Sequence, residues 1–562
     1  MGKYKEYKQL DLPAIAERVL SEWKNENVFQ KSISSREGKE NFVFYEGPPS
    51  ANGLPGIHHV MARAIKDLFC RYKTQKGFQV QRKAGWDTHG LPVEIGVEKE
   101  LGITKEDIGK SISVEEYNQK CREAVMKYTD VWNRLTEKMG YWVNMEDPYV
   151  TYDNKYIETV WHLLKTLYDK DLMYKGYTIQ PYSPAAGTGL STHELNQPGC
   201  YKMVKDTSAV AQFKIVKDSK SDFLYHELHG DLFFIAWTTT PWTLPSNTAL
   251  GVGPKIEYVK VKTFNKYTFE PITVILAKEL VGKWFPEQNA ELKLEEYNKG
   301  DKKIPFEISG KFSGKELEGI RYEQLLNYSQ PIEGDAFRVL ADDFVTTEDG
   351  TGVVHLAPAY GADDFRVAKA NGIGALHLVD NQGRFKEEVT DFARDYVKEE
   401  FLPDSQRTED YKSVDVRISI KLKEENKAFD VQKYEHSYPH CWRTDKPVLY
   451  FPLDSWFVKT TAVKDQLIAN NKKINWKPES TGTGRFGNWL ENLQDWNLSR
   501  SRYWGIPIPI WTTEDKSEQI CIGSAKELKE ECQKAVSAGL MEKNPMAGFN
   551  EGDFTDSNYS SF

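Results

Sequence analysis

The sequence predicts an α/β protein in which an open parallel sheet is interrupted by a separate β-rich domain. A strand, a Gly/Pro-rich loop, a helix and a second strand follow one another between residues 41 and 86. From about residue 200 the apolar residues change from helical spacing to short strand-like runs. Helical and loop character returns near "YEHSYPHCW", residues 434–442. At 562 residues the chain exceeds a single hydrophobic core, and about three units are expected. Their expected bounds are 1–196, 197–425 and 426–562.

Taken in order, "LPAIAERVLSEWKNENVF" carries apolar residues at helical spacing and predicts an amphipathic helix. "NFVFYEG" (41–47) reads as a short buried strand stopped by Gly47-Pro48-Pro49. "HHVMARAIKDLFCRYKTQKG" is helical and closes at Gly77. "FQVQRKAGWDTHGLPVE" then supplies a second strand and a polar loop. This order begins an open parallel sheet, which binds ligands at the carboxyl ends of its strands. Longer helical patterns follow around 113–139 and 154–170. In the next domain "SAVAQFKIV", "LFFIAWTT", "EYVKVKTF" and "ITVILA" are strands separated by turn residues.

Composition narrows the function class. An apolar content of 40% with 13% aromatic is globular, and no segment approaches the ~18 consecutive apolar residues of a membrane span. The start, "MGKYKEYKQLDLPAIAERVL", has no apolar core flanked by a cleavage signal, which argues against secretion. Cys70, Cys121, Cys200, Cys441, Cys521 and Cys532 are scattered, as in a reduced, cytoplasmic protein. A net charge of -9 excludes a uniformly basic nucleic-acid sleeve while leaving local basic patches open.

Four stretches carry chemistry. In "GPPSANGLPGIHH" the glycines at 47, 53 and 56 permit close backbone approach, and the prolines stiffen the path. A helix starting near Ile57 would aim its amide groups at phosphate, with His58 and His59 as donors. Alone, the stretch reads equally as a surface turn. "GWDTHGLPVE" places Asp87 and His89 beside Gly85 and Gly90 at the same end of the sheet. A carboxylate there can hold an ammonium group, or simply cap the next helix. "WTTTPWTLPSN" offers hydroxyls and an amide without a titratable base: Thr238, Thr239, Thr240, Thr243 and Asn247. It suits sugar hydroxyls and a positioned water, and equally an edge strand rich in β-branched residues. "GTGVVHLAPAYGADDF" adds His355, Asp363 and Asp364 after a strand and a glycine turn.

These motifs, with "LSRSRYWGIPIPIW", stand in the order found in the isoleucyl-tRNA synthetases, which this chain resembles over essentially its whole length. The resemblance implies a Rossmann-type catalytic domain interrupted by an editing domain. It implies ATP, with Mg2+, and isoleucine as substrates, tRNA(Ile) as partner, and a cytoplasmic monomer without membrane attachment. Carried over, Gly47, Pro48 and nearby backbone line the amino-acid pocket and Asp87 holds the ammonium. His89 and Gly90 flank it, and Trp504 packs on the side chain. Asn52, Gly53, Gly56, His58 and His59 cradle ATP, where the chemistry needs charge stabilisation on phosphate more than a protein base. Thr238, Thr239, Thr240, Thr243 and Asn247 hold the terminal adenosine and ester of a mischarged tRNA. His355 limits side-chain size, and Asp364 captures the amino group. Isoleucine against valine is the standard case in which one methylene discriminates too weakly for a single pocket.

The family's phosphate signature is His, any residue, Gly, His, whereas this chain has Gly56, Ile57, His58, His59. His59 keeps its place, and His58 offers the donor that Gly56 lacks. The expectation is a repositioned donor in a working site. Cys-x-x-Cys pairs found in the family are absent: Ser183 and Ala186 stand in the first stretch, and Cys441 with Thr444 in the second. His436, His440 and Cys441 do not make the four-ligand site zinc requires, so no zinc is expected. No KMSKS loop appears before Phe562, and the chain reads as the amino-terminal part of a longer protein. The rival reading is an editing module that hydrolyses mischarged tRNA without synthetic activity, its first domain a scaffold. Retention of Pro48, Asp87, His59 and Trp504 speaks against it.

Overall fold

A computed structural model describes residues 9–408 and 410–560; the first eight residues, where the leader reading begins, lie outside that description. Two compact units divide the chain: Met1–Tyr174 with Phe457–Phe562, and Lys175–Trp456.

In the first unit, α1 (Leu12–Asn25) starts where the Asp11 carboxylate accepts the Ala14 amide at 3.2 Å. Strand β1 (Asn41–Tyr45) leads through the loop into α2 (Ile57–Gln75) and back to β2 (Gln79–Trp86). The strands pair in parallel from Asn41↔Gln79 to Tyr45↔Lys83. β3 (Asn144–Val150) joins on the other side of β2, also in parallel, with a register shift between Lys83 and Gly85. The expected parallel sheet is thus present in the order β1-β2-β3. β1 is not the buried strand its apolar run predicts. It lies at the edge of this sheet, with Val43 58% and Tyr45 63% exposed. The helix expected over 113–139 is two: α4 (Val114–Val125) and α5 (Thr129–Lys138), following α3 (Leu91–Leu101). The break has a cause, because the Tyr128 amide turns away to donate to the Ala51 carbonyl at 3.1 Å. α6 (Asn154–Tyr168) matches the pattern at 154–170.

The second unit is built on a mixed six-stranded sheet. Its strands are β4 (Tyr201–Lys214), β5 (Asp231–Thr238), β7 (Glu257–Phe264), β8 (Pro271–Ala277), β9 (Glu307–Ser313) and β12 (Ala428–Pro439). Their order is β9-β7-β8-β5-β4-β12, with only β8 and β5 parallel. Along β5, Phe234 and Ala236 enter one core and Phe233 and Ile235 the other. Burial on both faces is why "LFFIAWTT" is a continuous apolar run instead of an alternating one. A smaller sheet combines β6 (Ala249–Val252), β10 (Arg338–Ala341) and β11 (Val353–Leu356) in the order β10-β6-β11. Residues 434–439, expected as helix and loop, are strand: β12 pairs antiparallel with β4 from Ala428↔Ala211 to Pro439↔Tyr201. Long polar residues at alternate positions hid it, since one side of this edge strand faces water. With β12 included, this unit runs beyond the 197–425 expected for the insertion.

Candidate active site

The loop after β1 is held by backbone contacts. Trp132 of α5 donates its indole N–H to the Gly53 carbonyl at 2.9 Å. Gly56 caps α2, and its N–H donates to Nδ1 of His59 at 2.9 Å. That bond makes Nδ1 an acceptor, so the neutral ring carries its proton on Nε2. The ring packs edge-on against Trp132 at 4.8 Å and lies 3.8 Å from the exposed ring of His58. Burial, then the neighbouring His58 and Arg63, hold the His59 pKa below its ordinary value. A methyl group on residue 56 would stand 2.8 Å from Cε1 of His58. The His58 imidazole therefore covers the space in which a side chain at 56 would begin. Gly56 and His58 form a compensated exchange.

Gly47 and Pro48 lead out of β1, with Lys66 and Glu46 ion-paired beside them at 2.6 Å. Asp87 ties the two loops together, its amide donating to the Pro49 carbonyl at 3.0 Å. Water reaches the Asp87 carboxyl, yet the protein around it raises its pKa; the His89 amide partly offsets this. Burial lowers the His89 pKa to about 4, and its neutral ring stands edge-on to Trp504 at 5.3 Å. Gly90 opens α3 at φ 131, where a side chain would be strained. Trp504 is buried, donating its indole N–H to the Thr88 carbonyl at 2.6 Å. Asn52 departs from the group. It lines a cavity of about 340 Å³ with Pro92, Val93, Lys120 and Tyr128.

Glu94, given no role by the sequence, is the residue that seats Trp504. Its Oε1 accepts the amides of Tyr503 and Trp504, each at 3.0 Å. Burial raises its pKa, and those two amides pull the other way. An acid in the first turn of the helix after "GWDTHG" was the available signal.

In the second unit, Thr238, Thr239, Thr240, Thr243, His355 and Asp364 line one cavity of about 430 Å³. The turn 241–246 after β5 carries the threonines, β11 carries His355, and the first turn of α7 (Ala362–Ala370) carries Asp364. The Trp242 amide anchors the turn on Asp415 at 2.8 Å. Phe344, Thr346, Glu348 and Asp349 complete the lining. Their segment, "FVTTEDG", runs into the quoted glycine motif, and that continuity was the signal passed over.

Asn247 does not line this cavity; it stands behind the wall, 1% exposed. Its Oδ1 accepts the Tyr322 hydroxyl at 2.7 Å, so its Nδ2 faces His355 Nδ1 at 3.0 Å as donor. His355 Nε2 therefore bears the proton and donates to Thr243 Oγ1 at 2.9 Å. The Thr243 hydroxyl in turn donates to the Thr240 carbonyl at 2.9 Å. Burial drives the His355 pKa down to about 3, consistent with a neutral ring. Both ring nitrogens are committed, so His355 is a fixed wall and no general base. Asp364 accepts the Ala357 amide at 2.8 Å, and burial raises its pKa to about 6. An unpaired carboxylate in such a place favours a cation. Thr238 and Thr240 hydroxyls lie 3.3 Å apart at the same wall. Chemically, the cavity can hold hydroxyls and one ammonium and can position water.

Neither weighed metal ligand is free for a metal: His436 meets Asp206 at 3.2 Å, and His440 meets the Tyr438 carbonyl at 3.0 Å. Among the described residues no group of three or more His, Cys, Asp or Glu could hold a metal ion, and no helix is long and apolar enough to cross a membrane.

Residues 18–556 match the family model described as tRNA synthetases class I (I, L, M and V). The chain is 64% identical over 556 residues to the isoleucine–tRNA ligase of Cytophaga hutchinsonii, covering 96% of this chain and 49% of that protein. It is 61% identical over 585 residues to the enzyme of that name from Porphyromonas gingivalis, with 99% and 51% covered. For Bacteroides fragilis the identity is 58%, with the same 99% and 51%. The chain spans about half the length of these curated relatives.

Proposed function

The chain belongs to the class I tRNA synthetases of the I, L, M and V group, and from that premise we propose that it is the amino-terminal part of an isoleucine–tRNA ligase. Such an enzyme activates isoleucine with ATP, transfers it to tRNA(Ile), and hydrolyses valyl-tRNA(Ile). The observation that carries the choice of amino acid is the 58–64% identity to ligases of that name over nearly the whole chain. Mg2+ would accompany the ATP phosphates, and the scattered free cysteines suit a cytoplasmic monomer.

In this reading the unit with β1–β3 performs activation. His59 Nε2–H and the His58 ring donate to phosphate, and the amides at the start of α2 add their dipole. Asp87 pairs with the isoleucine ammonium, and Trp504, seated by Glu94, gives the side chain an apolar wall. The isoleucine carboxylate attacks the α-phosphate, and pyrophosphate leaves. Residues 197–425, within the second unit, are the editing domain. There Asp364 pairs with the valine ammonium, and Thr238, Thr239, Thr240 and Thr243 hold the terminal ribose and a water. That water attacks the ester carbonyl, and the ribose oxygen leaves with a proton. His355, rigid and neutral, bars the larger isoleucyl group. Asn247 acts through His355, as a positioning residue.

Two assays test this: isoleucine-dependent ATP–pyrophosphate exchange, and release of valine from valyl-tRNA(Ile). Valine release without exchange in the full-length enzyme would favour the rival editing module. Exchange driven by leucine or valine above isoleucine would overturn the assignment.

A further inference from the structure

We propose that a second cavity of the Lys175–Trp456 unit is a nucleotide site, for a nucleotide whose base carries an exocyclic amine. The cavity holds about 440 Å³, within the ~300–1,000 Å³ typical of small-molecule sites. It opens beside the core of Phe233, Ile235 and Phe285. Its walls offer aromatic surface from Phe264, Trp284, Phe285 and Phe429, suited to the face of a base. Three lysines, Lys266, Lys283 and Lys302, line it against one carboxylate, Asp430. Lys266 is paired with Asp430 and Lys283 with Asp349, whereas Lys302 is exposed and in no ion pair of the described residues. That excess of positive charge suits a phosphate.

Asn289 supplies the specificity. It is 6% exposed, and its Nδ2 donates to the Ile304 carbonyl at 3.1 Å. Its Oδ1 then has no donor among the described residues. A buried acceptor of this kind calls for a partner. An inorganic phosphate would present it with more acceptors, while the amine of cytosine or adenine presents a donor.

The cavity adjoins the threonine–histidine cavity. Trp284 donates its indole N–H to the Gly350 carbonyl at 2.9 Å, and Lys283 pairs with Asp349; Asp349 and Gly350 both line the other cavity. A strand with its terminal nucleoside in the first cavity would bring the preceding nucleotide to the second. This source of the ligand rests on the editing reading; the nucleotide chemistry does not.

The test is calorimetric titration of the chain with cytidine 5′-monophosphate, with its analogue lacking the 4-amino group, and with single-stranded RNA ending in CCA. Cytidine monophosphate should bind, and the analogue should bind about tenfold more weakly. Lys302→Glu, at an exposed position, should weaken cytidine monophosphate by about tenfold. RNA binding more tightly than the mononucleotide, with that advantage lost in Lys302→Glu, identifies a strand end as the source. Equal affinities identify a free nucleotide. No binding of cytidine monophosphate, equal binding of the analogue, or indifference to Lys302→Glu overturns the site. None of these outcomes alters isoleucine-dependent exchange, so a failure here and a failure of the ligase reading are read separately.

Discussion

The threonine–histidine cavity and the histidine loop solve the same problem, placing polar groups for a charged ligand, in opposite ways. Behind the cavity, Tyr322, Asn247, His355, Thr243 and the Thr240 carbonyl bond in sequence, and Asn247, His355 and Thr243 are each buried. Its shape is settled on folding. In the loop, His58 is exposed and His59 half-buried, and the anchors are backbone groups: the Gly53 carbonyl, the Gly56 amide and the Pro49 carbonyl. Its side chains keep donors to offer. A buried, closed network resists change and fails by unfolding or misplacement, whereas an open loop fails by losing rate at unchanged stability.

The largest effect expected from this contrast is in the cavity. Asp364→Ala should cut valine release from valyl-tRNA(Ile) by about 100-fold or more, because an uncaptured ammonium misplaces the ester. Asp364→Asn keeps an acceptor for the Ala357 amide and should lose the same rate without loss of thermal stability. Unchanged valine release in either variant would remove Asp364 from the site.

In the loop, His59→Ala and His58→Ala should each slow isoleucine-dependent exchange by roughly 10- to 100-fold, the worth of one charge-assisted donor. Their melting temperatures should stay with the parent's. Gly56→Ala should fall between parent and His58→Ala, since its methyl group displaces the His58 ring it would meet at 2.8 Å. A large drop in melting temperature with either histidine variant would erase the contrast drawn here.

The two regions also differed in how plainly the sequence announced them. The strand–loop–helix–strand order and the four strands between 200 and 280 could be read from period and punctuation, because local chemistry sets them. β12 could not, since an edge strand takes its identity from its partner β4, some 220 residues away. The same holds within the sites. The threonines, His355 and Asp364 stood out as motif residues. That Asn247 lies behind His355, and that Glu94 holds the Trp504 loop, depends on pairings across 108 and 410 residues. Motif spacing carries no information about either.

Those long-range pairings should be visible as stability. Asn247→Leu leaves the Tyr322 hydroxyl and His355 without their partner and should cost about 2 kcal/mol or more. Valine release should fall and isoleucine should begin to be released as the ring loosens. Glu94→Gln should cost about 1.5–3 kcal/mol, since one Oε1 serves two amides as a charged acceptor. Its kinetic mark should be a raised KM for isoleucine in exchange. A Glu94→Gln enzyme with parent KM and parent melting temperature would detach Trp504 from the pocket.

The smallest expected effect is the most discriminating, because activity and stability should respond to pH in opposite directions. Asp364 is raised to about 6 by burial, and only its ionised form can pair with the valine ammonium. From pH 7.5 to 5.5 its ionised fraction falls roughly fourfold, and kcat/KM for valine release should fall with it. The ammonium favours the ionised form, so kcat under saturation should begin to fall at a lower pH than kcat/KM. For stability the sign reverses. A carboxyl whose pKa is higher folded than unfolded binds protons preferentially in the folded state. Its stabilising contribution is present at low pH and is lost as pH rises from the ordinary carboxylate range through about 6. Acid should therefore lower editing while this group's share of stability rises. Asp364→Asn separates the two: its residual valine release should lose the step near pH 6, and so should its melting-temperature profile relative to the parent. A parent kcat/KM that stays flat through pH 6, after correction for spontaneous ester hydrolysis, would show that Asp364 meets no ammonium.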